Sequence, residues 1–376
     1  MAVSRRQMSL AMAAASLALA CFFAGPLEAF PQLEEKASNP AAEKSSGLLF
    51  LPVIFYTPET KWALGGGGMY YFQASRDKSI KRPCNISGIV IYSQRKQLSL
   101  ELNPDFYFKR GYHVQARISY SDFPDKFYGL GKATRQEAEE DYTSRNVKFS
   151  LEVLKEVYPA LNAGFLYLYD EIKLVKTEEG GLLEAGRIPG SGGGRASGLG
   201  YFMTWDSRDS IFFATSGSYH QFSAAIFRKP LGSDFVFNRY YFDLRKYFPL
   251  SSDHTLAVQA RFLFQTGMPP FWRLGLLGGQ EIMRGYYTGR YRDKNMACFQ
   301  VEYRWVPVAW RLGVVAFGGF GDVAEKVANF RMGDFKISYG LGLRYVFSRE
   351  QKLNIRLDLG FGQGTSGVYL TAAEAF

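Results

Sequence analysis

The 376-residue chain is 47% hydrophobic and 16% aromatic, with 39 Gly, 32 Phe and 24 Tyr against 5 Trp. That length holds one large all-β domain or two ordinary ones, and the aromatic and glycine enrichment favours strands and tight turns over helices. The formal charge of +10 comes from Lys and Arg scattered along the chain. With no basic helix or nucleic-acid motif, this argues against a nucleic-acid partner and for basic side chains lining a pore or facing anionic lipid.

The N-terminal "MAVSRRQMSLAMAAASLALACFFAGPLEAF" sets Arg5 and Arg6 before an apolar run from Leu10 to Ala24 and small residues ending at Ala29. This is the pattern of a secretory signal peptide over residues 1–29, too short for a stable membrane anchor. A faint twin-arginine look at "SRRQM" and a lipoprotein-like "LALAC" are weaker fits to the same stretch. Residues 30–46, "FPQLEEKASNPAAEKSSG" up to its last serine, are polar and predict a disordered periplasmic linker. The barrel domain is expected over 47–376. Beyond the leader only Cys84 and Cys298 remain, and the topology sets them at opposite ends of the molecule, as free thiols. His113, His220 and His254 lie in separate segments without ligand spacing, so no metal and no cofactor is expected.

From residue 47 onward the recurring signal is dyad alternation. "KLNIRLDLGF" sets Leu353, Ile355, Leu357, Leu359 and Phe361 on one side and Lys352, Asn354, Arg356, Asp358 and Gly360 on the other. "FKISYGLGLRYVF" and "MACFQVEYRW" repeat it, with Arg344, Glu302 and Arg304 on the polar sides. Apolar faces of five to seven outward positions are long enough to cross a hydrocarbon layer at ~9–11 residues per strand. Full charges on the opposite face, with no partner sheet needed, favour a lipid-facing barrel over a soluble sandwich. Aromatic residues at strand ends suit interfacial girdles. The segments number about sixteen, an even count expected of a bacterial barrel. Their limits fall near 47–57, 63–75, 85–93, 97–108, 112–122, 145–156, 159–172, 197–206, 216–226, 236–246, 254–266, 296–306, 311–321, 336–347, 352–361 and 367–375. If the first strand runs outward, the long connections 123–144, 173–196, 267–295 and 322–335 are external, and most periplasmic turns are short, 76–84 and 207–215 excepted. The fold class is therefore an all-β, outer-membrane-type antiparallel barrel, and the localisation a bacterial outer membrane.

The external connection 267–295 holds "GGQEIMRGYYTGR": Gly278 and Gly279, then Met283, Arg284, Gly285 and Tyr286. Here the chain resembles the bacterial surface antigen superfamily, the barrels of Bam- and Tam-type assembly factors and two-partner secretion transporters. In that family the sixth external loop carries a hydrophobic-Arg-Gly-aromatic motif after paired glycines. "TWDSRD", with Asp206, Arg208 and Asp209, resembles the family's Asp-x-Arg-Asp strand and turn. "FYGLGKAT" (127–134) resembles its third-loop motif, and "VEYRW" and "AFGGFGDVAE" the two strands after the sixth loop. Phe376 resembles its terminal assembly signal. These motifs, in the right order, cover nearly the whole chain after the leader.

The resemblance implies that the sixth loop folds into the lumen and that Arg284 pairs with an acid on a following strand, the matching position being Asp322. The alternation alone offers the inward-facing Asp358 and Glu302 instead. An arginine in a partly dehydrated lumen needs such a carboxylate. Family members usually carry polypeptide-transport-associated domains before the barrel, and residues 30–46 are too few to form one. The chain thus reads as a barrel-only member.

Two functions follow. In the first, the barrel is a membrane-protein assembly or translocation scaffold whose first and last strands part to template a client strand. Its expected partners are outer-membrane lipid, unfolded barrel clients or a separate periplasmic accessory protein, and the barrel assembly machinery for its own insertion. Pro52 and the small residues Ala372, Ala373 and Ala375 suit a weak seam. In the second, the protein is a passive pore or structural surface protein, anion-favouring through Arg239, Arg245, Arg304, Arg344 and Arg356. The Gly run at 65–68 lacks the Lys-Ser/Thr of a phosphate loop, "GSGGG" at 190–194 reads as a flexible loop, and no nucleophile elbow occurs, so no enzymatic activity is expected.

Overall fold

Strands whose two faces differ this sharply pair edge to edge until no edge is left. The computed structural model describes residues 46–73, 80, 83–348 and 352–376. The leader read over 1–29 and the linker read over 30–46, save its last residue, lie outside the described residues. Eleven strands come first: β1 (Ser46–Thr57), β2 (Lys61–Phe72), β3 (Cys84–Ser93), β4 (Leu98–Tyr107), β5 (Tyr112–Phe127), β6 (Glu140–Tyr158), β7 (Leu161–Lys176), β8 (Gly194–Asp206), β9 (Gly217–Phe227), β10 (Phe237–Pro249) and β11 (His254–Gly267). A two-stranded hairpin, β12 (Gly275–Leu277) and β13 (Tyr291–Asp293), stands apart within the next connection. Five more strands follow: β14 (Asn295–Ala309), β15 (Leu312–Ala324), β16 (Lys336–Ser348), β17 (Leu353–Gly362) and β18 (Thr365–Ala372). β1–β11 and β14–β18 form one closed antiparallel barrel of 16 strands, with β11 beside β14 and β18 returning to β1.

Alternation decides which side chains meet lipid. On β16, Ile337, Tyr339, Leu341 and Leu343 point outward at 56–66% exposure, while Ser338 and Arg344 point inward at 2% and 1%. On β17, Ile355, Leu357, Leu359 and Phe361 face out and Asn354, Arg356 and Asp358 are buried in the interior. Cys84 and Cys298 are buried free thiols.

Three departures from the sequence reading have physical causes. The connection expected over 123–144 shortens to 128–139, because β5 and β6 run on into it at both ends, to 16 and 19 residues. Pro124 and the charges of "SDFPDKF" read as loop, but the ladder continues above the hydrocarbon, where both faces can be polar. There Lys126 faces Asp141 in register, with an ion pair of 3.4 Å. The second departure is the β12–β13 hairpin, inside a stretch that shows no strand pattern.

The third concerns the end of the chain. Alternation predicts a last strand over 367–375, yet β18 stops at Ala372. Ala373 takes a left-handed φ of 61° and turns the next residues inward. Ala375 and Phe376 pack with Ala214, Tyr247 and Ala257 in the barrel interior. Ala373 and Ala375 are thus not strand residues. A continued strand would direct the Glu374 carboxylate toward lipid; turned inward, it meets the Arg344 guanidinium at 2.8 Å.

The lipid-facing assignment is testable by depth. Leu343→Arg, near the middle of β16, is expected to cost about 2–4 kcal/mol, and Ile337→Arg, near its end, no more than about 1 kcal/mol. Urea unfolding of protein refolded into liposomes measures both, and equal losses would contradict this placement.

Candidate functional site

The connection 268–294 descends from β11 through the β12–β13 hairpin to a tip at Arg284 and returns to β14. The paired glycines shape its neck. Gly278 and Gly279 have φ of 107° and 112°, and the Gly279 amide donates to the Tyr286 carbonyl at 2.9 Å. Gly285, at φ 108°, lies flat on the backbone of β17. A Cβ there would stand 2.7 Å from Phe361, and one on the facing Gly360 would stand 2.6 Å from the Arg284 carbonyl carbon. Only two glycines allow this backbone-on-backbone approach.

Arg284 itself is 2% exposed. Its guanidinium lies 3.5 Å above the Phe317 ring and joins two carboxylates that are both fully buried. Nη1 donates to Asp358 Oδ2 at 2.5 Å, and Nη2 donates to Glu302 Oε1. Arg304 holds the other Glu302 oxygen at 2.7 Å, and Arg344 holds Asp358 Oδ1 at 2.6 Å. Arg356 reaches Asp358 at 3.3 Å, while Arg344 also holds Glu374. Four guanidiniums therefore share three carboxylates, and the loop contributes one of the four.

Asp322 is not the partner of Arg284. It faces Ala297 across the β14–β15 ladder, whereas Glu302 faces Phe317. Five positions along β15 separate the two levels, about 17 Å at strand rise, so the loop tip sits well below Asp322. The cation near Asp322 is Lys132, 3.7 Å away, which lies closer to Asp334, at 2.6 Å. That ammonium holds the Asp334 carboxyl below the usual carboxylate range.

The backbone and aromatic groups of the tip are held as closely as Arg284. Tyr369 on β18 accepts from the Gly285 amide at 3.0 Å, and Thr365 donates to the Gly285 carbonyl at 3.0 Å. The Tyr286 hydroxyl donates to the Ile337 carbonyl at 3.0 Å and accepts from the Gln363 amide at 2.8 Å. Ser338 donates to the Arg284 carbonyl. Met283, with φ of 50°, packs in the apolar cluster of Leu277, Ile282, Tyr286 and Cys298.

Two residues further on, the amide and hydroxyl of Thr288 both donate to Glu59 Oε1, at 2.8 and 2.9 Å. Glu59 sits in the turn between β1 and β2, so residues 285–288 touch both flanks of the closing seam. The returning arm rests on the segment 127–134. Gly131 donates to the Arg292 carbonyl at 2.9 Å, and Arg290 donates to Thr134 Oγ1 at 2.9 Å.

The Asp-x-Arg-Asp residues organise the opposite, periplasmic end. Asp206 holds Arg208 through two bonds of 2.9 and 2.7 Å. Asp209 accepts from the Thr215 and Ser216 amides, at 2.8 and 3.1 Å, and from Lys352 at 2.8 Å. The connection 207–216 thereby reaches toward the β16–β17 turn, where its Ala214 and Phe212 meet the inturned residues 374–376. Phe376 is therefore buried in the interior: its main-chain oxygen accepts from Arg304 Nη2 at 2.8 Å. Glu59, Ser338, Tyr369 and Glu374 escaped the sequence reading. Alternation in "FKISYGLGLRYVF" sets Ser338 on the inner face without giving it a role and could have placed Tyr369 there, but nothing in "TPET" marks Glu59.

The charge inventory orders two variants. Arg284→Ala leaves three guanidiniums to three carboxylates, so it is expected to free the loop for protease cleavage with little change in barrel stability. Glu302→Ala leaves four cations to two carboxylates and is expected to cost about 3–5 kcal/mol. Limited trypsinolysis at Arg290 and Arg292, together with urea midpoints, checks both. An uncleaved Arg284→Ala loop would remove the anchoring role of the arginine.

The Omp85 superfamily domain matches residues 67–371, most of the barrel. Among solved structures, BamA from Haemophilus ducreyi lacking POTRA domains 1–3 is similar over 88% of this chain and 70% of that one, at 14% identity and TM-score 0.60. CdiB from Acinetobacter baumannii is similar over 88% of this chain and 60% of that one, at 10% identity and TM-score 0.58. CdiB from Escherichia coli is similar over 87% and 62%, at 10% identity and TM-score 0.55. At these identities the likeness is one of fold. This chain thus spans less than two thirds of either CdiB chain. No curated protein matches by sequence. The family match, spread over the strands that build the closed barrel, shows that this chain belongs to the Omp85 superfamily and is a β-barrel of the bacterial outer membrane.

Proposed function

We propose that the protein is an assembly or translocation scaffold in which β1 and β18 part, and the freed edge of β1 templates an incoming strand. One observation carries this reading. β1 pairs with β2 at twelve successive positions, Ser46↔Phe72 to Thr57↔Lys61, but with β18 at a single position, Tyr56↔Leu370. Other neighbouring strands in the barrel share eight or more register pairs; β17 and β18, for example, run from Ile355↔Ala372 to Gly362↔Thr365. In hydrocarbon an unpaired strand edge costs several kcal/mol per polar group, so such an edge binds any strand that reaches it.

The sixth loop fits this reading as the inner brace of the seam. Its residues 285–288 hold β18 through Tyr369 and Thr365 and the β1–β2 turn through Glu59. A separate periplasmic accessory protein would deliver clients, and no step makes or breaks a covalent bond. The pore reading needs free guanidiniums along an open path. Arg245, Arg304, Arg344 and Arg356 are instead engaged by carboxylates, and Arg239 rests on Tyr241 and Ser223.

A disulfide across the seam tests the scaffold. Directly opposed residues in an antiparallel ladder lie about 4.5–5.5 Å apart at Cα, within disulfide reach. In Tyr56→Cys/Leu370→Cys protein, folding of an unfolded test barrel into liposomes should drop to the protein-free rate on oxidation and recover on reduction. Acceleration that survives oxidation would overturn the proposal.

A further inference from the structure

Across the barrel from the seam, between β6 and β10, three cations share one buried carboxylate. Lys148 on β6 has the inward parity of Ser144, Asn146 and Leu154, opposite the outward Val147 and Val153. It stands in register with Asp170 on β7, which is buried. Directly opposed side chains of opposite charge ordinarily close on each other. Here a residue outside the barrel wall takes the carboxylate instead: Arg273, on the descending arm of the sixth loop, pairs with Asp170. Lys148 is left exposed to the lumen, with no hydrogen bond or ion pair among the described residues.

Arg239 reaches the same pair from β10. It shares the inward side of Phe237 and Asp243, and its guanidinium has one hydrogen bond among the described residues, to Ser223 Oγ at 3.4 Å. Lys148 and Arg239 both interact electrostatically with Arg273 and with Asp170, and no second carboxylate at the site is free. The next acids to act on Lys148 are committed: Asp125 accepts from Tyr287 and Tyr142, and Glu101 accepts from Asn103. Between Asp170 and Arg239 the wall recedes, because β8 and β9 turn Ala196, Gly198 and Ala225 inward. Arg273 lies 5.4 Å over the Phe227 ring, which leaves the in-plane donors of its Nη groups without a partner among the described residues.

An excess of two positive charges held in an enclosed lumen concentrates anions, and guanidinium forks with an ammonium are the donors that oxyanions prefer. We propose that Lys148, Arg239 and Arg273 form an interior binding site for a soluble dianion of the phosphate class. Bound there, the anion ties β6 and β10 to the loop arm that Asp170 on β7 already holds. It thereby fixes the sixth loop to the wall on the side away from the seam. An inward-facing site behind the barrel wall is closed to lipid headgroups, so the ligand comes from solution. The site needs no continuous path of free cations, and it stands apart from the scaffold reading.

The test is calorimetric titration of inorganic phosphate, buffered above its second pKa, into the whole protein in lipid-free non-ionic detergent. Sodium chloride holds the ionic strength constant, and the absence of lipid leaves no headgroup to supply the anion. The parent should show one saturable site. Lys148→Gln and Arg239→Gln should each weaken it about tenfold, the equivalent of one charge-assisted hydrogen bond. Either variant carries the test if the other does not fold. Arg117→Gln, a lumen arginine beside Glu101 at 3.5 Å, should leave the affinity unchanged. A parent without saturable heat would overturn the site, and so would a parental affinity in folded Lys148→Gln or Arg239→Gln. An equal loss in Arg117→Gln would show diffuse attraction to lumen charge and overturn it as well. None of these outcomes bears on client folding, which tests the scaffold separately.

Discussion

A polypeptide in hydrocarbon has no water to satisfy its backbone, so every amide and carbonyl must find a partner within the protein. That single requirement forces sixteen strands into a closed sheet and fixes the alternation of their side chains. It also makes the closure the most informative place in the molecule. Fifteen of the sixteen junctions are long ladders, and the last, between β1 and β18, is reduced to one register pair. A sheet that needed only stability would have no reason to leave its first strand half paired.

The interior shows how the seam is held despite this. Charge is the instrument: Glu302, Asp358 and Glu374 are shared among Arg284, Arg304, Arg344 and Arg356. Two of these seven groups belong to segments that are not barrel wall, Arg284 on the sixth loop and Glu374 after β18. Removing a carboxylate from such a network leaves buried guanidiniums uncompensated and costs far more than the intact pair contributes. The network thus favours specific placement of the loop and tail over bulk stability. The two segments enter one network from opposite ends of the barrel and are linked in it through Asp358 and Arg344. A shift of either one alters the partners left to the other.

The wall of this fold was legible in the sequence because dyad alternation is a local property. "KLNIRLDLGF" declares its lipid face and its inner face without reference to any other strand, and the same rule pointed to Glu302 and Asp358 as inward acids. Depth is not local. The family resemblance pointed to Asp322 for Arg284, but how far the loop descends depends on the Gly285–Gly360 approach and the length of the β12–β13 neck, which no motif encodes. The β5–β6 hairpin was read short because its charges look like loop, although a ladder still pairs its backbone above the hydrocarbon and tolerates polar side chains on both faces there. Residues 373–375 were read as strand because alternation takes no account of a carboxylate that finds a guanidinium by turning inward.

Whether β1 receives other polypeptides is most directly settled by where a client touches the barrel while it folds. A single cysteine at Ile54→Cys on β1, or at Phe222→Cys on β9 across the barrel, would be oxidised against a cysteine scan of an unfolded test barrel during insertion. Templating should give disulfides at Ile54→Cys with client positions spaced by two, in one register, and none above background at Phe222→Cys. Cross-links of equal yield at both strands, or without a period of two, would contradict it.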